Sequence, residues 1–163
     1  MIYETEMKHL ARCVELASMA VDNGNPPFGS VLVDETGAVR YEGHNETAGG
    51  DETQHPEFAI ARWAAANMTP DERAASTVYT SGEHCPMCAA AHGWVGLGRI
   101  VYASSSEQLS AWLDELHVAP PPVATLPINQ VVPGVPTEGP FPALADALRE
   151  LHERYALADR NKT

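Results

Sequence analysis

Two prolines set the strongest constraint on this chain, because each follows a side chain able to hold a metal. Pro56 stands in His55-Pro56-Glu57, and Pro86 in Cys85-Pro86-Met87-Cys88. Proline suits the first residue of a helix, where its missing N–H has no partner to lose. That makes His55 and Cys85 the caps of two helices. Residues two apart in a helix differ by about 200° around the axis, so His55 and Glu57 converge only beyond the helix end. Cys88, three residues after Cys85, nearly faces it. The pattern asks for two helix N-termini aimed at one point, where their partial positive charge favours thiolates.

Taken alone, the Cys85/Cys88 pair reads three ways: a thioredoxin-like redox couple, half of a structural metal clip, or part of a catalytic metal site. An all-cysteine structural site needs a second pair, and Cys13 cannot supply it. The redox reading leaves His55-Pro56-Glu57 unexplained. A catalytic zinc takes three protein ligands and keeps one position for water.

Around these segments the chain alternates helix and strand signals. Leu10, Val14, Ala17 and Val21 recur at helical spacing over residues 4–22, and Gly24, Pro26 and Pro27 end that helix. "GSVLVDETGAVRYEGHN" reads as two strands around the turn Asp34-Glu35-Thr36-Gly37. A helix from Pro56 to Asn67 is closed by Thr69-Pro70-Asp71. "STVYTS" and "RIVYAS" are strands on either side of the helix "PMCAAAHGW", and "SEQLSAWLDEL" is a helix capped by Ser106. Residues 119–142 hold eight prolines, with "INQVV" as the one strand candidate among them. Pro142 to Ala158 places Leu144, Leu148, Leu151 and Tyr155 on one helical face. The class is α/β, with a mostly parallel sheet after an opening hairpin, in one domain spanning 1–163.

Charge and cysteine content narrow the partners. Lys plus Arg number 10 against 22 for Asp plus Glu, a net charge of −12 with no basic run. That charge disfavours nucleic acid and anionic membranes. The charged residues of the N-terminal segment rule out a signal peptide, no apolar stretch approaches the ~20 residues of a membrane helix, and a cytoplasmic location is expected.

His55-Pro56-Glu57 followed 28 residues later by Cys85-Pro-Met-Cys88 resembles the zinc-dependent cytidine-deaminase-like superfamily, whose signature is H-x-E with P-C-x-x-C. "NPPFGSVLVD", "GHNET" and "VYTSGEHCPMCAAAHGWVGLGRIVYAS" extend the likeness over roughly residues 1–120, nearest the guanine deaminase and tRNA adenosine deaminase branch. Two positions depart: Pro56 replaces the usual alanine, and His84 the usual proline. His84 is open to three readings: a hydrogen-bond partner of a ligand, an alternative ligand, or a solvated turn residue.

The resemblance implies a three-layer α/β/α fold with a central mixed five-stranded sheet. It implies one zinc per chain on His55, Cys85 and Cys88, and hydrolytic deamination by water activated on the metal. Such a metal lowers the pKa of water from about 15.7 to about 7, which cuts the cost of making hydroxide by at most roughly 12 kcal/mol. Glu57 is implied as the proton shuttle, Asn45 as a partner of the base, Phe28 and Trp94 as pocket walls, and Asp114 as an acid that reads a purine. A free nucleobase is the expected substrate: guanine, or a related amino-heterocycle such as cytosine, a triazine or a modified base. A tRNA adenosine deaminase is the runner-up, and a zinc-stabilised interaction module the non-enzymatic alternative. Relatives commonly dimerise, and the helix 142–158 is a candidate lid.

Overall fold

The computed structural model describes residues 2–162. Helix α1 covers Ile2–Asp22 and stops at Gly24, whose φ of 82° suits glycine. Strands β1 (Gly29–Val33) and β2 (Val39–His44) form the expected hairpin. Its turn is held by Asp34, whose Oδ1 accepts from the N–H groups of Thr36 and Ala38 and from the Thr36 hydroxyl. Helix α2 spans Pro56–Asn67, α3 Pro70–Ala74, β3 Thr77–Gly82, α4 Pro86–Val95, β4 Arg99–Ser104 and α5 Ser106–Glu115. The chain ends with α6 (Ile128–Val131), β5 (Thr137–Glu138) and α7 (Ala145–Arg160).

The five strands lie in the order β2-β1-β3-β4-β5. Both pairings of β1 are antiparallel, whereas β3–β4 and β4–β5 are parallel. The sheet is thus mixed, with helices on both sides. Alternation along the strands sorts the core. Val31, Val33, Tyr79, Val101 and Ala103 face Leu10, Cys13 and Ala17 of α1 and Leu148 and Leu151 of α7. On the opposite face Leu32 and Val78 meet Ile60, Ala61 and Ala64 of α2. Ile100 meets Ala89 of α4 and Ile128 there as well.

Helix α1 lies so close on β1 that Gly29 has no room for a side chain. A Cβ there would stand 2.4 Å from the Cys13 carbonyl and 2.5 Å from the Leu16 Cβ. Replacing Gly29 with alanine should cost about 3 kcal/mol of stability, the upper range for overpacking. Thermal unfolding checks this, and a melting temperature within 1–2 °C of the parent would contradict it, since about 1 kcal/mol moves a chain of this size by about 2–4 °C.

Four local expectations change. Thr69-Pro70-Asp71 opens α3 rather than merely closing α2, because Thr69 and Glu72 form a reciprocal capping box. The cap of α5 is Ser105, not Ser106, with Gln108 completing the same device. "INQVV" is a helical turn, since five residues are too few to carry a period that separates strand from helix. The last strand is Thr137–Glu138 instead. The C-terminal helix begins at Ala145 after a 3-10 turn at Pro142–Leu144, and it runs to Arg160. No helix among the described residues is long and apolar enough to cross a membrane.

Candidate metal centre and active site

Both proline-marked helices begin where the sequence places them. His55 is the residue before α2 and Cys85 the residue before α4, each extended, with ψ of 142° and 165°. Neither side chain caps its own helix; both turn toward each other. The His55 Nδ1 lies 3.6 Å from the Cys85 Sγ and 3.5 Å from the Cys88 Sγ. All three ligand atoms fall within 4.8 Å of one another. Bonds of about 2.3 Å to sulfur and about 2.05 Å to nitrogen at a tetrahedral angle separate N and S by about 3.6 Å. The three donors therefore fit zinc in both chemistry and spacing.

Proton distribution across the trio follows from the same contacts. Cys85 is held down to about 4, first by the Cys88 thiol donating to it and then, against the cost of burial, by His55. Cys88 is pushed up because it gives that hydrogen bond, and burial and the charge of Glu57 add to the shift. His55 is raised, chiefly by its bond to Cys85. The Glu52 backbone also hydrogen-bonds the ring.

Zinc must expel the Cys88 proton and any on His55. Uptake should release one to two protons per ion, weakening apparent affinity about ten- to hundredfold per unit fall in pH. Calorimetric zinc titration in buffers of differing ionisation enthalpy reads the proton count, and a pH-independent affinity would contradict it.

Glu57 sits in the first turn of α2 and is 5% exposed. Its Oε1 lies 2.9 Å from the Thr80 hydroxyl on β3. Burial raises its pKa above the ordinary carboxylate range, while His55 opposes that rise. The group is thus both a buried acid and a neighbour of the metal-holding trio.

Asn45 is 2% exposed, and its amide orientation is fixed by a group that can only donate. Oδ1 accepts from the Thr47 N–H and hydroxyl, each at 2.9 Å. Its NH2 must point the other way, and it has no partner among the described residues. The Asn45 N–H donates to the Phe28 carbonyl, so the two lie side by side. The Phe28 ring fills the space over Gly82, where a Cβ would stand 3.1 Å from its edge.

Helix α7 reaches this wall. His152, 6% exposed, meets Phe28 edge-on at 5.4 Å between ring centroids and Trp112 at 5.8 Å. Burial lowers its pKa to about 4. A cleft of about 270 Å³, lined by Arg12, Tyr41, Glu42, His44 and Gln54 among others, takes in His55 but none of Cys85, Cys88, Glu57, Asn45 and Phe28. There Arg12 is already bound to Glu42 and Glu15.

Two expected pocket residues lie elsewhere within one chain. Trp94, on α4, is 90% exposed. Asp114 is exposed on α5, and its carbonyl accepts from the His117 N–H. His84 is not a solvated turn residue. It is 1% exposed, packs edge to face on His92 at 5.4 Å, and lies outside the ligand trio. Neither of its ring nitrogens finds a hydrogen-bond partner among the described residues. Burial, with His92 adding, drives its pKa well below the usual histidine range.

Glu83 has a structural role that its position at a strand end does not reveal. It accepts the Ser106 N–H at 2.9 Å and the Ile128 N–H at 2.8 Å, joining α5 to α6. Sequence reasoning missed Thr80 and His152. Thr80 was legible only as one strand residue, although a hydroxyl in a strand buried throughout requires a partner.

Residues 3–104 match the family model of the cytidine and deoxycytidylate deaminase zinc-binding region. The chain is 31% identical over 118 residues to a probable cytosine deaminase of Schizosaccharomyces pombe, covering 72% of each. It is 33% identical over 139 residues to a guanine deaminase of Bacillus subtilis, covering 80% of this chain and 86% of that one. A tRNA-specific adenosine deaminase of Haemophilus influenzae is 32% identical over 115 residues, 70% of this chain and 66% of its own. The structure of a guanine deaminase from Nitrosomonas europaea superposes with a TM-score of 0.68 at 21% identity, over 91% of this chain and 83% of the other, which shows the shared fold. With the His/Cys/Cys trio spaced for one zinc, the match over most of the chain makes it a member of the zinc-dependent cytidine and deoxycytidylate deaminase family, a hydrolytic deaminase.

Proposed function

We propose that the chain deaminates a free amino-heterocyclic base, with guanine leading and cytosine, a triazine or a modified base as related substrates. The observation that carries this reading is the packing of α7 beside the site. His152 packs edge-on against Phe28, which lies beside Asn45, so α7 braces a flat aromatic wall on which a single base can stack. Five arginines, Arg12, Arg40, Arg99, Arg149 and Arg154, are tied to carboxylates, so they offer no free cationic track for a stem-loop. The relatives named guanine and cytosine deaminase support the same class.

The net reaction adds water to the ring carbon bearing the amine and releases ammonia. Zinc held by His55, Cys85 and Cys88 supplies the acidification of water at neutral pH. Asn45 donates its free N–H to an acceptor on the ring, and Phe28 lies against the ring. Glu57 takes a proton from the attacking water and gives it to the ring nitrogen as the new C–O bond forms. It then carries the second proton to the amine, and the C–N bond breaks. Burial suits Glu57 to both halves, because a raised pKa brings its acid and base forms closer to balance at neutral pH.

The exposed indole of Trp94 supports a homodimer in which a second copy covers the outer face of α4. Replacing Trp94 with serine should shift the light-scattering mass toward one chain. An unchanged mass would remove this face from the interface. The substrate class is tested by ammonia release from guanine, cytosine, adenine, a triazine and a tRNA anticodon stem-loop. Activity confined to the stem-loop would assign the protein to tRNA instead.

A further inference from the structure

Three buried side chains form a chain of hydroxyls ending on the shuttle carboxylate. Ser30 and Thr80 are 0% exposed and sit directly opposite each other across the antiparallel β1–β3 pair. The Ser30 hydroxyl donates to the Thr80 Oγ1 at 2.8 Å. The Thr80 Oγ1 lies 2.9 Å from the Glu57 Oε1 and 3.0 Å from the Gly82 carbonyl oxygen. Ser30 has no other side-chain partner among the described residues, so its proton is committed to Thr80.

We infer that Ser30 and Thr80 are positioning residues that hold the Glu57 carboxyl in one place through the whole catalytic cycle; the inference rests on the deamination proposed above. Thr80 has one proton to give and two lone pairs to fill. One lone pair takes the Ser30 proton. When Glu57 is a carboxylate, Thr80 gives its proton to Oε1. When Glu57 carries the proton in transit on its other oxygen, Oε1 is the carbonyl oxygen of the acid and still accepts from Thr80. The heavy atoms keep the same contacts in both states, and the other carboxyl oxygen stays free for the reacting groups. A methyl group in place of the hydroxyl would fill the space but could neither accept from Ser30 nor donate to Glu57.

The test compares zinc-loaded Thr80→Val, Thr80→Ser and Ser30→Ala with the parent on whichever base it turns over. A carboxylate loosened by a fraction of an ångström should lose about ten- to hundredfold in kcat, with KM and zinc content held. Thr80→Ser should recover most of that loss, and Ser30→Ala should lose less than Thr80→Val. Calorimetry adds a reading independent of turnover. Hypoxanthine and pyrimidin-2-one accept water at the ring but have no amine to expel. The one that binds the parent should bind Thr80→Val more weakly, while the product base, xanthine or uracil, binds both alike.

Equal kcat in Thr80→Val and parent, or Thr80→Ser as impaired as Thr80→Val, would overturn the relay while leaving the proposed function standing. If Thr80→Val fails to fold, Ser30→Ala decides: a parental kcat overturns the relay, and a lowered kcat with full zinc supports it. A parent that turns over no base overturns the proposed function, and the relay with it.

Discussion

Replacing Glu57 with glutamine is expected to lower kcat by about 10²–10⁴-fold, the range ascribed to a positioned acid–base group, without loss of zinc or fold. Glutamine keeps an oxygen for Thr80 and the volume of the buried side chain, but it cannot carry a proton. The ligand atoms belong to His55, Cys85 and Cys88, and Glu57 lies outside that trio. Stability should hold or rise, since a carboxyl 95% out of solvent is costly to ionise. Steady-state ammonia release, metal analysis and a thermal scan on one preparation check all three statements. A variant that unfolds or loses zinc would make Glu57 a structural residue. One with parental kcat would remove it from the chemistry.

The second large effect is expected at Cys88. The residue is fully buried, and its sulfur lies 3.5 Å from the His55 Nδ1 and within 4.8 Å of the Cys85 sulfur. Alanine there leaves one sulfur and one nitrogen, too few to hold zinc tightly or to keep its charge balanced. Turnover should fall to background. With free zinc about a thousandfold above its Kd, the ion stabilises the parent by about 4 kcal/mol. Losing it should lower the melting temperature by about 8–16 °C at this chain length. Chelating the parent should reproduce both losses, and zinc should restore them. A Cys88→Ala protein that keeps one zinc per chain would contradict the assignment of the ligands.

Much of this arrangement was legible because the site is built at helix starts, which have strong local signals. Pro56 and Pro86 fix where α2 and α4 begin, and that alone places His55 and Cys85 outside the helices and Glu57 and Cys88 in their first turns. The hairpin was legible from Asp34 and Gly37, and α1 from its apolar period. What sequence could not reveal depends on contacts distant along the chain. Thr80 meets Glu57 across 23 residues and Ser30 across 50, with no spacing rule to announce either. Ile128 falls in a five-residue stretch, three of them apolar, that fits a strand or a helical turn equally, and the bond that holds its N–H comes from Glu83, 45 residues earlier. Leu144, Leu148, Leu151 and Tyr155 gave the periodicity of a packing helix, but nothing in that spacing showed that His152 would reach Phe28. His84, which replaces a proline beside Cys85, proved buried although its neighbourhood in sequence is polar.

The most direct test of the account is ammonia release by the zinc-loaded protein on free guanine and cytosine, run beside its Glu57→Gln variant and the chelated parent. The account predicts turnover of at least one free base, lost on chelation and reduced by about 10²–10⁴-fold in the variant. No ammonia from any free base by a protein carrying one zinc per chain would contradict it.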